Sequence, residues 1–294
     1  MMKRLFALLA ALLLLFPAVI SCGMAETEAP HYTLPIDFSP GMPVNQKYYL
    51  SSTVYEDPTL KVVITADNYE GVLYWIADIE IQDPSQLRTA AATAFDSTGS
   101  EFGSVLAKRM NAVLAVDGDY YCFSRGAPLI LRQGITFKNE TRFGVGHDIL
   151  FVDENGDFHG LVNPKSDEID KLLSEHKIVN AFFFGPLLVN NGEICTSEDP
   201  SLNTFSQRVA IAQIDHLHYR VIVTGPSKRG SKAFQFSAWR AFVASMPDIK
   251  IAYNLDGGDS AVLVFNNQKI NDPENTNERP LADIIYFASA WPGE

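Results

Sequence analysis

Apolar residues fall along this chain in short β-type runs cut by Gly, Pro, Asn and Asp, and that pattern predicts a strand-rich protein. Residues 60–66 and 72–81 read as strands, as do 112–116, 128–131 and 149–152. Asn155-Gly156 and Asn191-Gly192 sit between apolar runs as hairpin turns, because Asn-Gly tolerates the positive φ that a two-residue turn demands. Residues 209–214 and 219–224 pair as strands; 250–255 runs through a Gly-Gly turn into strand 260–265, and 283–287 closes the fold. Helical spacing is rarer. Asp83-Pro84 opens a helix expected to reach Ala94, with Pro in the first turn where its missing N–H costs nothing, and residues 167–176 and 233–245 carry apolar positions at helical intervals. With no fixed-period repeat and no second linker, residues 59–290 are expected to form one domain of mixed α/β (α+β) class, strand-rich with a few flanking helices.

The N-terminal segment stands apart. Lys3 and Arg4 precede an apolar run over residues 5–20, and small residues follow, which is the order of a signal peptide over 1–25. The run is short for a membrane span. Gly23-Met24-Ala25 suits cleavage before Glu26, whereas Val19-Ile20-Ser21-Cys22 suits lipidation of Cys22; both readings stand open. Either one places the protein outside the cytoplasm, extracellular or in the cell envelope, with membrane attachment only through a lipid on Cys22. Residues 26–58, with Pro30, Pro35, Pro40, Pro43 and Pro58, lack a sustained period and read as a spacer. Composition adds one exclusion: 23 basic against 35 acidic residues, a net charge of −12 with no basic tract, removes nucleic acid from the partners, since neutralising phosphates takes clustered Lys and Arg. Cys122 and Cys195 remain after the leader, as one bridge or two buried thiols, and without a Cys-x-x-Cys pair they do not suggest structural zinc.

Several familiar sites fail on context. Gly258-Asp259-Ser260 lacks the second Gly and the following helix of a nucleophile elbow, and Gly144-Val145-Gly146 falls short of a dinucleotide fingerprint. His216 and His218 flank a polar hairpin turn and read as solvent-facing. What remains is polar residues at the ends of very apolar strands. One strand ends in Asp117-Gly118-Asp119-Tyr120-Tyr121, another in Asn254-Leu255-Asp256-Gly257-Gly258-Asp259-Ser260. Glycine there allows positive φ or close approach of a ligand. An acidic tight turn is the plain alternative for either motif alone, but two of them point to a shared pocket. Arg132 and Arg208 flank strands beside them and offer the charge that a planar anion such as phosphate requires.

These blocks, with Tyr74-Trp75-Ile76-Ala77-Asp78-Ile79, Asp83-Pro84-Ser85-Gln86-Leu87-Arg88, Leu131-Arg132-Gln133-Gly134, Phe184-Gly185-Pro186-Leu187, Gln207-Arg208, Arg279 and Asp283-Ile284-Ile285-Tyr286, resemble in order the phosphodiester glycosidase family over residues 60–288. The Asn-Leu-Asp-Gly-Gly-x-Ser run is the most specific of them. The chain departs from the family pattern at Asp117, where relatives usually have Asn, at Asp259, where they usually have Gly, and after Val223, where they tend to have Asp-Gly-Arg.

The resemblance implies an exported, bacterial, exopolysaccharide-related hydrolase that cleaves the anomeric C–O bond of a sugar phosphodiester or phosphate-linked glycan. It implies Asp256 as the base or the carboxylate stabilising an oxocarbenium-like centre, and Asp119 as the second catalytic choice. Arg132 and Arg208, with the amides of Gly257 and Gly258, would hold the phosphate, Asn254 would orient the sugar, Ser260 would fix the turn, Asp117 would join the substrate site, and Tyr120 would stack on a sugar ring. No cofactor is required; a divalent cation on Asp117, Asp119, Asp256 and Asp259 is the alternative that the extra carboxylates raise. A non-catalytic envelope glycan-binding protein and a metal-dependent phosphodiesterase cleaving P–O are the competing functions.

Overall fold

A computed structural model of the chain describes residues 30–95, 97–120, 127–141, 146–196, 204–226, 232–272 and 277–293. The leader, Cys22, Tyr121, Cys122, Gly144-Val145 and residues 227–231 lie outside them, and with them the expectations on cleavage, lipidation and a Cys122–Cys195 bridge.

Central strands of the three larger sheets, such as Ala112–Asp117, Ile149–Asp153 and Ile251–Leu255, are buried on both faces, while edge strands such as Ile135–Asn139 leave residues exposed. The largest sheet has eight strands in the order Val54–Glu56, Leu60–Tyr69, Val72–Ile81, His218–Thr224, Val209–Asp215, Ile251–Leu255, Leu187–Asn190 and Glu193–Ile194. A second runs Phe158–Leu161, Ile149–Asp153, Ile178–Phe182, Leu129–Arg132, Ile135–Asn139, and a third runs Gln268–Lys269, Leu263–Phe265, Ala112–Asp117, Asp283–Ala288, Leu87–Ala91. Alternate residues of each sheet meet in one common core. Val209 and Ile211 come from the first sheet, Leu150 and Val152 from the second, and Val113, Val116, Ile285 and Phe287 from the third. The intervening residues face outward, and each outer face is closed by one helix. Helix Phe236–Ala244 covers Ala210, Ala212 and Ile222; helix Ser166–Glu175 covers Ile149 and Phe151; helix Gly103–Arg109 covers Ala115, Ile284 and Tyr286. Small residues on these outer faces let the helices pack close.

Strands therefore carry the architecture, and the α complement is smaller than a mixed α/β class implies: among the described residues there are three α-helices. None of the helices is long and apolar enough to cross a membrane. Three expectations differ in detail. The helix expected from Asp83-Pro84 to Ala94 is a capped 3₁₀ turn, Pro84–Gln86, followed by strand Leu87–Ala91. The cap signal is real, with Ser85 N–H donating to Asp83 Oδ1 at 2.9 Å and Asp83 N–H to Gln86 Oε1 at 3.0 Å, but pairing with Asp283–Ala288 and burial on two faces then decide for strand. The strand expected at 260–265 starts only at Leu263, since Gly258–Ser260 winds into a 3₁₀ turn.

The stretch expected as a spacer packs from His31 onward in the same compact unit as the domain. Arg88, wholly buried, fixes it by donating to the carbonyls of Pro35 at 2.8 Å, Asp37 at 2.9 Å and Ser39 at 3.0 Å. A guanidinium has five N–H groups in a rigid fork, and this loop supplies the acceptors that burial requires.

Trp239 anchors the strand that ends in the second glycine motif. It is fully buried among Phe234 and Phe242, and its indole N–H donates to Asn254 Oδ1 at 3.1 Å. Replacing Trp239 by Phe keeps most of the apolar volume and strands that acceptor, so urea unfolding should show a loss of about 1–3 kcal/mol; a midpoint equal to wild type would remove this role.

Candidate active site

The two glycine motifs end strands of different sheets, and the fold brings them together. Strand Ala112–Asp117 delivers Asp117 beside the Gly258–Ser260 turn, where Asp117 Oδ1 accepts from the Val262 N–H at 3.1 Å. Asp256, half-buried, lies close enough that its charge, after burial itself, is the main influence pushing the Asp117 carboxyl well above the ordinary carboxylate range. Asp117 is 0% exposed. Burial beside a like charge favours the protonated form of such a carboxyl.

Behind Asp117 sits a charge cluster. Asp119 takes the N–H groups of Phe183 at 2.7 Å and Phe184 at 2.6 Å on Oδ1, and Arg132 Nη2 at 3.0 Å on Oδ2. Arg132 Nη2 also reaches Asp283 Oδ2 at 3.3 Å, and its Nη1 donates to the carbonyls of Leu131 at 3.1 Å and Ala181. Its guanidinium lies over the Phe182 ring, 4.6 Å from the centroid. Burial pushes Asp119 up, and pushes Asp283 up to about 7 against the opposing pull of Arg132. One guanidinium does not compensate two carboxylates out of water, so the pair shares a proton near neutrality.

Glycines make the approach possible. A Cβ on Gly118 would fall 2.3 Å from Asp283 Oδ1, and one on Gly257 would fall 2.5 Å from the Gln207 carbonyl oxygen. Gly258 has φ +59°. Through Gln207 the turn also meets Arg208, whose backbone N–H donates to Thr224 Oγ1 at 2.7 Å and whose Nη2 donates to the Thr204 carbonyl at 2.5 Å. Burial pulls Arg208 down to about 10, still cationic at neutral pH, and its guanidinium lies 5.3 Å from the centroid of the Phe236 ring.

The remaining residues named from sequence divide. Asn254 donates to the Gly185 carbonyl at 2.8 Å and accepts from Trp239, so its amide is engaged within the scaffold. Both motif amides are engaged as well: Gly257 N–H donates to Asp256 Oδ1 at 2.9 Å and Gly258 N–H to the Gln207 carbonyl at 3.0 Å. Tyr120, half-buried, pairs its ring with Phe184 at 5.0 Å to form an aromatic platform beside Asp119. Asp259 is exposed. The four carboxylates proposed for a cation are divided by these contacts, since the Asp119 oxygens are already met by two amides and a guanidinium. By contrast, Asp117 Oδ2, Ser260 Oγ and Arg132 Nε are buried with no hydrogen-bond partner among the described residues.

Sequence reasoning gave Asp283 no role and passed over the Phe183 and Phe184 amides. Asp283 carries the same signal as Asp117, a carboxylate at one end of an otherwise apolar strand; the amides carry none, because any residue supplies them.

The phosphodiester glycosidase family profile matches residues 110–288, which includes both glycine motifs, both arginines and Asp283. The chain belongs to the phosphodiester glycosidase family. Its fold is similar to that of the catalytic domain of zebrafish N-acetylglucosamine-1-phosphodiester alpha-N-acetylglucosaminidase, auto-inhibited by its pro-peptide, with TM-score 0.60 and 17% identity over 87% of this chain and 97% of that one. It is also similar to a hypothetical protein from Synechocystis, with TM-score 0.53 and 12% identity over 81% of this chain and 64% of that one. No curated protein matches the chain by sequence.

Two outcomes follow for this glycosidase-family site. Gly118→Ala would drive Asp283 off Arg132, and denaturant unfolding should register a loss of about 1–3 kcal/mol; a neutral result would show that the cluster is slack. Asp283 binds its proton more tightly folded, near 7, than at the ordinary 3.8 of the unfolded chain, so the native state holds the extra proton between those values and stability falls as pH rises from about 4 to 7. Melting temperature against pH should show that decline, and Asp283→Asn should flatten it; equal slopes in both proteins would contradict the reading.

Proposed function

We propose that this protein is an exported hydrolase that cleaves the anomeric C–O bond of a sugar phosphodiester in cell-envelope or extracellular glycan metabolism. Export is supported by Lys3 and Arg4 ahead of the apolar run. The reaction is supported above all by one observation: Asp117 Oδ2 and Ser260 Oγ, both buried and without a hydrogen-bond partner among the described residues, lie where the two glycine motifs meet, beside the half-exposed Asp256. Buried polar atoms without partners are rare in native proteins, and a substrate supplies what they lack.

Asp117 and Asp256 have the divided environments that acid–base work needs. Burial and the neighbouring Asp256 charge favour the protonated form of Asp117, and in that form Oδ2 gives its proton to the phosphate oxygen as the anomeric C–O bond breaks and that oxygen takes the bonding pair. Asp256, reaching solvent, accepts a proton from the attacking water and stabilises the positive charge growing at the anomeric carbon. The departing phosphate monoester is a stabilised anion with a second pKa near 6, so charge compensation matters as much as protonation. Arg208 and the Ser260 hydroxyl supply it. Arg132 acts from behind, holding Asp119 and Asp283, and the Tyr120–Phe184 platform offers a face for the sugar ring.

Hydrolysis of a sugar phosphodiester such as UDP-N-acetylglucosamine in oxygen-18 water tests the bond assignment. Label is expected in the released sugar; label in phosphate would replace this reading with P–O cleavage, and saturable binding without product would replace it with a glycan-binding protein. Asp256→Asn should fold and lose about 10²–10⁴ in kcat, whereas Asp117→Asn, which installs the residue relatives usually have there, should lower kcat far less, because the phosphate monoester is itself a stabilised leaving group. Substantial turnover by folded Asp256→Asn would sink the assignment of the base.

A further inference from the structure

A second cluster lies at the other end of the strand that serves the site. Strand Ile178–Phe182 pairs with Ile149–Asp153 so that Phe182 opposes Leu150, next to the amides held by Asp119, while Ile178 opposes Asp153. There the hairpin formed by Ile149–Asp153 and Phe158–Leu161 meets the C-terminus of helix Ser166–Glu175, and Asp153, His159 and His176 converge.

The Asp153 carboxylate is divided between two tasks. Oδ1 is fixed by the N–H groups of Asn155 at 2.8 Å and Asp157 at 3.0 Å. Oδ2 faces His159 Nε2 at 3.0 Å and His176 Nδ1 at 3.7 Å. The two imidazole rings are 4.1 Å apart between centroids, and the three ligating atoms all lie within 4.8 Å of one another. Two histidines against one carboxylate oxygen are poorly served by protons alone, since charging both rings sets two cations side by side. A tetrahedral ion with ligands at 2.0–2.2 Å sets them roughly 3.3 Å apart, and the two distances to Oδ2 lie on either side of that. The amides on Oδ1 orient the carboxylate as outer-shell partners do in metal sites. The side chains of Asp153, His159 and His176 are 5%, 24% and 37% exposed, so one flank of the cluster is open to an entering ion and a coordinating water.

We propose that Asp153, His159 and His176 bind one divalent transition-metal ion of the zinc class, which clasps the hairpin to the end of the helix. Imidazole nitrogens select such an ion over calcium or magnesium, which take oxygen ligands. The other His-carboxylate group, Asp78, Glu80 and His218, provides the contrast: Arg220 Nε sits 2.9 Å from Asp78 Oδ2, a resident cation where the metal would have to go.

The test uses the purified full chain, stripped with EDTA and titrated with zinc chloride against a chromogenic chelator, with cobalt(II) as a spectroscopic probe. One equivalent of zinc should bind, cobalt should give the intense visible bands of a four-coordinate site, and zinc should raise the melting temperature reversibly. His159→Gln combined with His176→Gln should weaken binding about 100-fold or more while melting like wild type in EDTA, and His218→Gln should bind as wild type does. Zinc should also shield His159 and His176 of the wild-type chain from diethyl pyrocarbonate, mapped by mass spectrometry, a readout that needs no variant to fold. Unchanged affinity in the double variant, loss of binding in His218→Gln, or no shielding of the two histidines would overturn the proposal.

Discussion

Arg132 is a single positive charge sealed among the carboxyls of Asp119 and Asp283, with Asp117 nearby, and the organisation of the site follows from how that imbalance is resolved. A buried ion pair is tolerated where most of its donors and acceptors are met, and here, Arg132 Nε aside, the partners come from separate parts of the fold. Arg132 belongs to the second sheet, Asp283 to the third, and Asp119 follows the third sheet's Ala112–Asp117 strand while collecting amides from the end of Ile178–Phe182. Displacing any member exposes the others to an uncompensated charge. The cluster therefore fixes the register between two sheet edges more firmly than apolar packing alone, which tolerates exchange of similar volumes.

The same imbalance divides the carboxyl groups by function. Where burial is complete and the local charge is already negative, a carboxyl holds its proton; where solvent reaches it, the carboxylate form survives. Asp117 and Asp256 stand on opposite sides of that line, though they are neighbours in space and end strands of different sheets. Gly118 and Gly257 allow close packing around these turns, because a methyl group would collide with the Asp283 carboxyl at the first and with the Gln207 carbonyl at the second. Arg208, at the rim of the glycine turn, brings a positive charge to this region of a chain that carries −12 overall.

Much of this was legible along the chain. Strands 72–81, 149–152, 209–214, 219–224 and 283–287 were readable because each is a short apolar run bounded by turn residues. Asp117, Asp256, Arg132 and Arg208 stood out because a charged residue at the end of an apolar strand is costly without a partner. The errors have local causes. Asp83-Pro84-Ser85-Gln86 carries a true helix-start signal, and only pairing with the last strand turns residues 87–91 into a strand. The proline-rich stretch looks like a spacer because the groups that order it, the fork of Arg88 and the core beneath Leu34 and Tyr55, lie far off or have no periodic context.

Along the chain alone, the strand-dominated character and the two glycine motifs flanked by carboxylates were already set. Those follow from short-range chemistry, in which alternation sets the face and glycine sets the backbone. The tertiary structure alone decided the surroundings of each side chain. It showed that Asn254 and the motif amides face the scaffold, that Arg132 pairs with Asp119 and Asp283, that Asp117 is fully buried, and that Asp153, His159 and His176 meet at all. A side chain's protonation and its partners depend on what surrounds it in three dimensions, and residues distant in sequence supply those surroundings.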